Sequence, residues 1–293
     1  MFASEFEYYR ASSIAEAGEL LKKHPGAKFL AGGHSLIPLL KLRLTSPPAL
    51  IDIGRIAELK GIGVKDGKIR IGSLTTHAQL AASKELQQHC PALAEAAGQV
   101  GDPAVRNRGT IGGNVAHADP ASDLPTVLTA LGARFESVGP GGKKAIDANA
   151  FFQGMMATSL AENDLLTDIE VPVKAAGQGT SYVKFSHPAS RYAVIGVAVS
   201  VTAAGGKCTA AAIALGGLVP RPVRATSVEK ALIGQALTAE TIASAAAKVS
   251  QDLGTDLLGD LFASAEYRRG VAPVWVKRAV TKAAARAASP AAV

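Results

Sequence analysis

Cysteine is nearly missing from this sequence: 293 residues contain two, Cys90 and Cys208, and no C-x-x-C. An iron–sulfur cluster takes about four protein ligands, so this chain alone holds none. The same scarcity excludes a disulfide scaffold. Both cysteines read as small buried hydrophobes in a reducing compartment. Aromatic residues make up only 5%, which withholds the stacking platforms of single-strand nucleic-acid binders. Long apolar runs are missing too. The most apolar segment, Ala193 to Ala204, is too short to cross a bilayer and carries Ser200 and Thr202. The opening M-F-A-S-E-F-E-Y-Y-R has acids where a secretory signal has bases and an apolar run. The expectation is a cytoplasmic protein. There is no G-x-S-x-G elbow, and His34 and Ser35 sit side by side on a loop, where neighbouring side chains rarely face each other, so nucleophilic triad chemistry is not supported.

Net charge is +7, which raises the question of nucleic acid. The distribution answers it. From Tyr267 to Val293 there are six bases (Arg268, Arg269, Lys277, Arg278, Lys282, Arg286) and no acid. The remainder has 31 − 6 = 25 bases against 24 acids. A basic helix at one end of a near-neutral chain reads as a solvated face or a docking surface from Arg268 to Arg286, not as a nucleic-acid reader.

What the chain does have is a 48% hydrophobic content able to form a real core, a length that suits about two domains, and 30 glycines. Two glycine pairs stand apart. Lys28 to Pro38 reads K-F-L-A-G-G-H-S-L-I-P, and Thr110 to Asp123 reads T-I-G-G-N-V-A-H-A-D-P-A-S-D after Arg106-Asn107-Arg108-Gly109. Glycine lets a backbone approach a ligand closely, and exposed amides in such turns bind anions. Two cradles suggest a ligand with two phosphates held between two lobes. Neither loop fits the nicotinamide or P-loop pattern. Gly141-Gly142 and Gly205-Gly206 read as plain turns. The histidines are scattered. His34 and His117 each follow a glycine loop, which places them beside the ligand; no metal site is expected.

Taken in order, Ser13-Ile14-Ala15-Glu16 is a capping box opening a helix that Gly26 stops. Ala27–Leu30 and Ala49–Ile53 are strands. Lys65-Asp66-Gly67 turns a hairpin over Gly61–Ile71. Helices follow from His77 and from Pro91. Gln99 to Ala121 is expected to be a long irregular, functional loop. Asp123–Leu131 is a helix, and Ala133–Val138 and Leu165–Val171 are strands. After Thr180 come three strands (181–185, 194–202, 208–215), then helices near 224–233, 239–253 and 264–288.

The strings A-G-G-H-S-L-I-P at 31–38, R-N-R-G-T-I-G-G-N at 106–114 and D-P-A-S-D at 119–123 resemble the FAD-binding medium subunits of the molybdenum hydroxylases. That family includes xanthine dehydrogenase, and its aerobic carbon monoxide dehydrogenase variety is nearest in motifs. K-L-R-L at 41–44, F-F-Q-G-M-M-A-T at 151–158, Y-V-K-F at 182–185, R-Y-A at 191–193 and A-E-Y-R-R at 265–269 extend the likeness over nearly the whole chain.

The resemblance implies an α+β fold: a two-lobed FAD-binding domain of the PCMH/vanillyl-alcohol-oxidase type (residues 1–57 and 58–175). A C-terminal domain (176–293) with a small antiparallel sheet and helices would follow. It implies FAD here, with the molybdopterin cofactor and [2Fe–2S] clusters in a large and a small partner subunit, assembled as a dimer of heterotrimers, at the inner face of the membrane where partners hold it there. Ala31, Gly32, Gly33, His34, Ser35 and Leu36 would face the pyrophosphate together with Thr110, Ile111, Gly112, Gly113 and Asn114, with His117 close by. Asp123 would accept ribityl or ribose hydroxyls. Gly101, Val105 and Leu166 would lie toward the adenine. Lys184 and Tyr192 would be the catalytic pair, one approaching the flavin ring as a positive charge and the other lying beside it. Plainer readings compete: Asp123 as a helix cap, Lys184 as a solvated strand lysine, Tyr192 as a core aromatic, Arg106 and Arg108 as surface bases.

Overall fold

The protein, described by a computed structural model over residues 2–288, is built on three main sheets in sequence order. The first has three parallel strands ordered Glu7–Arg10, Ala49–Asp52, Lys28–Leu30. Helix Ile14–Lys23 makes the first crossover. Ser13 caps it by accepting from the Glu16 amide, and Glu16 reaches back to the Ser12 amide. Short parallel strands leave their carboxyl ends at one edge, where α/β folds bind ligands. Lys28–Leu30 runs at that edge straight into Ala31–Ser35. The edge strand Glu7–Arg10 was not anticipated, because E-Y-Y-R exposes its charges and lacks a buried face.

The second sheet is antiparallel, ordered Ile62–Lys65, Lys68–Gly72, Leu165–Pro172, Arg134–Gly139, Gly142–Asp147. Its first hairpin turns on Asp66 (φ 51°) and Gly67 (φ 72°), both left-handed as a two-residue hairpin of this twist needs. Phe135, Phe151 and Phe152 pack as a trio on this core, with Phe135 and Phe151 centroids 4.2 Å apart. The third sheet, also antiparallel, is ordered Gln178–Ser186, Ala193–Ala204, Lys207–Gly216, Val223–Arg224. Helix Ala265–Ala288 covers it. Helix and sheet meet so closely at Gly179 that a Cβ there would lie 2.0 Å from the Ala283 carbonyl oxygen.

Gln99–Ala121 is not an irregular loop. It contains helices Pro103–Arg108 and Ile111–His117. Asp102 caps the first, accepting from the Val105 amide at 2.9 Å, with Pro103 in the first turn. Thr110 caps the second, accepting from the Gly113 amide at 3.2 Å. Helix Asp123–Ala130 is buried at all eight residues and joins the second core to the third sheet. Gly216 makes room for it, since a Cβ there would meet Thr126 Oγ1 at 2.1 Å.

The basic C-terminal run is not a free docking face. Arg268 is buried and donates to the Gly217 carbonyl at 2.7 Å, to the Ala263 carbonyl and to Asp260. Arg269 donates to the Gly254 carbonyl. Lys282 and Arg286 pair with Glu95. The Arg278 guanidinium lies over the Trp275 ring, 4.6 Å from its centroid. Most of this charge is bound internally. No helix among the described residues is long and apolar enough to cross a membrane.

Candidate functional site

A cleft of about 730 Å³ opens where the first sheet's carboxyl edge faces the second sheet and the turn after strand Gln178–Ser186. Its first wall is Ala31–Leu36. Gly33 is left-handed (φ 76°), which turns the chain out of strand Lys28–Leu30. Among the described residues, no acceptor is bonded to the amides of Gly32, Gly33, His34 and Ser35. Gly32 serves close approach instead of a special φ: a Cβ there would lie 2.2 Å from the Arg108 carbonyl oxygen and 2.9 Å from Gly109 Cα. The two glycine motifs therefore abut directly.

The second motif is built differently. The Ile111 amide donates to Thr75, Gly112 to Ser73 and Asn114 to Thr110, all through backbone carbonyls. Gly113 donates to the Thr110 hydroxyl. The four amides from Ile111 to Asn114 are all engaged, so the glycine pair is not a second amide cradle. It contributes close packing and side chains. Gly112 has no room for a Cβ, which would sit 2.5 Å from Ser73 Cβ. Ile111 points into the core at 0% exposure and does not line the cleft. Asn114 donates to Ser122 Oγ at 3.0 Å. Ser73 Oγ, His77 Nδ1 and Asn114 Oδ1 are buried beside the cleft without a hydrogen-bond partner among the described residues. Unpaired amides on one wall and unpaired buried side-chain atoms on the other suit a ligand that both accepts and donates hydrogen bonds.

Asp123 forms the floor. It is the first helical residue, with Ser122 at the cap position, so capping is not its role. One carboxylate oxygen accepts from Tyr182 Oη at 2.5 Å and the other from Lys184 Nζ at 2.9 Å. Burial pushes the Asp123 carboxyl above its ordinary range, while the Lys184 ammonium and the Tyr182 hydroxyl pull the other way. Lys184 corrects both readings of it. Its side chain is 0% exposed and does not line the cleft, so it is neither a solvated lysine nor a charge facing the cleft. Beyond Asp123, its ammonium donates to the Gln99 and Arg191 carbonyls, each at 2.8 Å.

Tyr192, 46% exposed, stands at the cleft rim with Arg191 on the turn His187–Tyr192, so it is no core aromatic. Burial, with Asp119 and Asp123 nearby, raises its hydroxyl. His34, His117, Gly101, Val105 and Leu166 all line the cleft. Arg106 is more than a surface base: it donates to the Val100 and Gly101 carbonyls at 2.9 and 3.0 Å and fixes the turn where Gly101 is left-handed. Sequence reasoning missed Tyr182, Ser73 and His77. Tyr182 was detectable, since it shares a strand face with Lys184 at a spacing of two.

Residues 4–174 match the model of the FAD binding domain in molybdopterin dehydrogenase, and residues 180–283 that of the CO dehydrogenase flavoprotein C-terminal domain. The carbon monoxide dehydrogenase medium chain of Hydrogenophaga pseudoflava is 40% identical over 291 residues, covering 98% of this chain and 100% of that one. The chain belongs to the FAD-binding medium subunits of the molybdenum hydroxylases. The glyceraldehyde dehydrogenase medium chain of Sulfolobus acidocaldarius is 37% identical over 97% of this FAD subunit and 100% of its own length. Among solved structures, carbon monoxide dehydrogenase from H. pseudoflava lacking the Mo-pyranopterin moiety superposes with a TM-score of 0.93 at 41% identity, covering 98% and 99% of the two chains. Quinoline 2-oxidoreductase from Pseudomonas putida 86 also gives 0.93, at 30% identity over 99% and 100%. This FAD subunit is thus a flavoprotein component of an oxidoreductase.

His77 gives the FAD subunit a pH dependence. Burial first, then the nearby His34 and Arg106 charges, lowers its imidazole from 6.5 to about 4. The unfolded chain takes up this proton near the ordinary value and the folded chain only near the lowered one. Stability is therefore complete above the ordinary value and falls as pH falls. Between about pH 7 and about pH 5 the loss from His77 is about 2 kcal/mol. Denaturant titration of FAD-free protein should show that extra loss in wild type and not in His77→Gln. Equal losses in both would contradict it.

Proposed function

We propose that this subunit holds FAD in the cleft between Ala31–Leu36 and Asn114–Asp123, takes electrons from iron–sulfur clusters in a partner subunit and passes them to an external acceptor. When bound, FAD supplies one- and two-electron transfer. The observation carrying the reading is the run of unpaired amides from Gly32 to Ser35, set against the buried unpaired atoms of Ser73 and Asn114. The amides and Ser35 would hold the pyrophosphate; charge-assisted bonds of this kind contribute about 1.5–3 kcal/mol each. Asn114 and Asp123 would accept hydroxyl groups of the ligand. Gly101, Val105 and Leu166 would flank the adenine end, and Tyr192 would lie beside the ring.

The donor must be elsewhere. Both cysteines are free and buried, and burial pushes the Cys90 thiol up to about 12. We assign the chain to a complex with a large molybdenum-cofactor subunit and a small iron–sulfur subunit, as a dimer of heterotrimers in the cytoplasm at the inner face of the membrane. The FAD-binding domain would comprise the lobes 1–57 and 58–175, and the C-terminal domain 176–293. The medium-chain relatives make carbon monoxide the first substrate to try.

The test is co-expression with the two partner subunits, size-exclusion chromatography and anaerobic addition of carbon monoxide. Co-elution with substrate-dependent bleaching of the flavin band is expected. An isolated chain that reduces its own FAD rapidly with a small organic substrate would make it a self-contained dehydrogenase and overturn the reading.

A further inference from the structure

We propose that Lys184 is a positioning residue for the flavin: from behind the cleft floor it pins Asp123 and the Arg191 carbonyl to one point and thereby sets how Tyr192 is presented to the ligand. This rests on the reading that FAD lies between Asp123 and Tyr192.

Three observations carry it. The first is the convergence on Lys184 Nζ. Its three donors reach Asp123 Oδ2 at 2.9 Å, the Gln99 carbonyl at 2.8 Å and the Arg191 carbonyl at 2.8 Å. An ammonium has three donors, so it is saturated. Its side chain is fully buried, so no solvent competes. The three acceptors come from three separate stretches of the cleft lining: the segment leading to Gly101 and Val105, the floor, and the rim.

The second is the backbone at Arg191. Its φ is 61°, a left-handed conformation that non-glycine residues adopt at a cost of about 1 kcal/mol or more. The turn has few other ties. His187 Nδ1 accepts from the Ala189 and Ser190 amides at 3.2 and 3.3 Å, and two backbone bonds join His187 to Arg191 and Tyr192. These lie within the turn; outside it, the Ala193 amide donates to the Ala121 carbonyl at 3.1 Å and the His187 ring packs on Phe262, centroids 4.8 Å apart. The bond from Lys184 is the one that fastens the Arg191 carbonyl to the floor. Released from it, the turn would keep its shape and its anchors at His187 and Ala193 but lose the bond that sets the Arg191–Tyr192 backbone against Asp123.

The third is the way the strand is prepared for this. Tyr182, two residues earlier on the same face, binds the other oxygen of Asp123. Gly196, paired with Lys184 on the neighbouring strand, leaves room for the ring: a Cβ there would lie 2.5 Å from the Tyr182 hydroxyl. The carboxylate is thus held from both sides with one orientation.

The experiment is a double-mutant cycle on FAD-free protein, with FAD affinity read from quenching of flavin fluorescence and the bound flavin's visible circular dichroism recorded. Lys184→Met should weaken FAD binding about ten-fold, which is about 1.4 kcal/mol, and shift the dichroic bands in the same sense as Tyr192→Ala. In the Tyr192→Ala background the same Lys184 substitution should weaken binding by less than about two-fold, because coupled residues are not additive. Equal weakening in both backgrounds would make Lys184 a general structural residue and overturn the proposal; so would no weakening at all. If Lys184→Met does not fold, Lys184→Gln, which keeps a donor, takes its place in the same cycle. Wild-type protein that binds no FAD would instead overturn the underlying reading of the cleft.

Discussion

Gly32→Ala is expected to strip FAD from the subunit, by more than about ten-fold in affinity, while leaving most of the chain folded. A single methyl suffices because of where the backbone runs. The added carbon would lie 2.2 Å from the Arg108 carbonyl oxygen, inside any van der Waals contact, and what it meets is backbone that cannot rotate away. Relief requires the Ala31–Ser35 wall to move off the Arg108–Gly109 segment. That movement displaces the unpaired amides on which ligand binding depends. Overpacking of this kind costs about 1–3 kcal/mol in stability. Gly63→Ala is the control: it has nothing within 4 Å and no left-handed φ. The ratio of FAD to protein after gel filtration decides the matter. Full occupancy in Gly32→Ala would show that the abutment of the two motifs does not shape the site.

Asp123→Ala is expected to cost both stability and FAD. The substitution removes the counter-charge of an ammonium whose side chain is 0% exposed, and it orphans the Tyr182 hydroxyl. Breaking a buried pair from one side costs about 3–5 kcal/mol. Removing both charges should be milder. Asp123→Leu combined with Lys184→Met should recover part of the stability, because the unpaired charge is gone while the Tyr182 hydroxyl and the Gln99 and Arg191 carbonyls stay unpartnered, and none of the FAD affinity, because no acceptor remains at the floor. Denaturant unfolding of FAD-free protein measures the first quantity and flavin titration the second. A single Asp123→Ala variant within about 1 kcal/mol of wild type would contradict the geometry of the Asp123–Lys184 pair.

These outcomes mark what the sequence could and could not convey. The first glycine motif was legible because its cause is local: a strand, a left-handed glycine, then a polar run. The second was recognised but assigned the wrong physics. Its amides are bonded to Ser73, Thr75 and Thr110, and two of those three partners lie more than thirty residues upstream, beyond any local pattern. The helices around it did carry local signals, Asp102-Pro103 and Thr110, which the density of glycine obscured. Lys184 failed for a related reason. Alternation along a strand places a side chain on a face but does not say whether that face meets solvent, a ligand or a buried carboxylate. The basic C-terminal run shows the same limit: its charge was countable, its internal acceptors were not.

The central claim is that this cleft holds FAD without a covalent bond. The most direct measurement is acid precipitation of the purified, partner-assembled protein, followed by identification of the released flavin. The account predicts one FAD per chain, all of it in the supernatant, with a colourless pellet. Flavin retained on the pellet, FMN in the supernatant, or no flavin at all would contradict it.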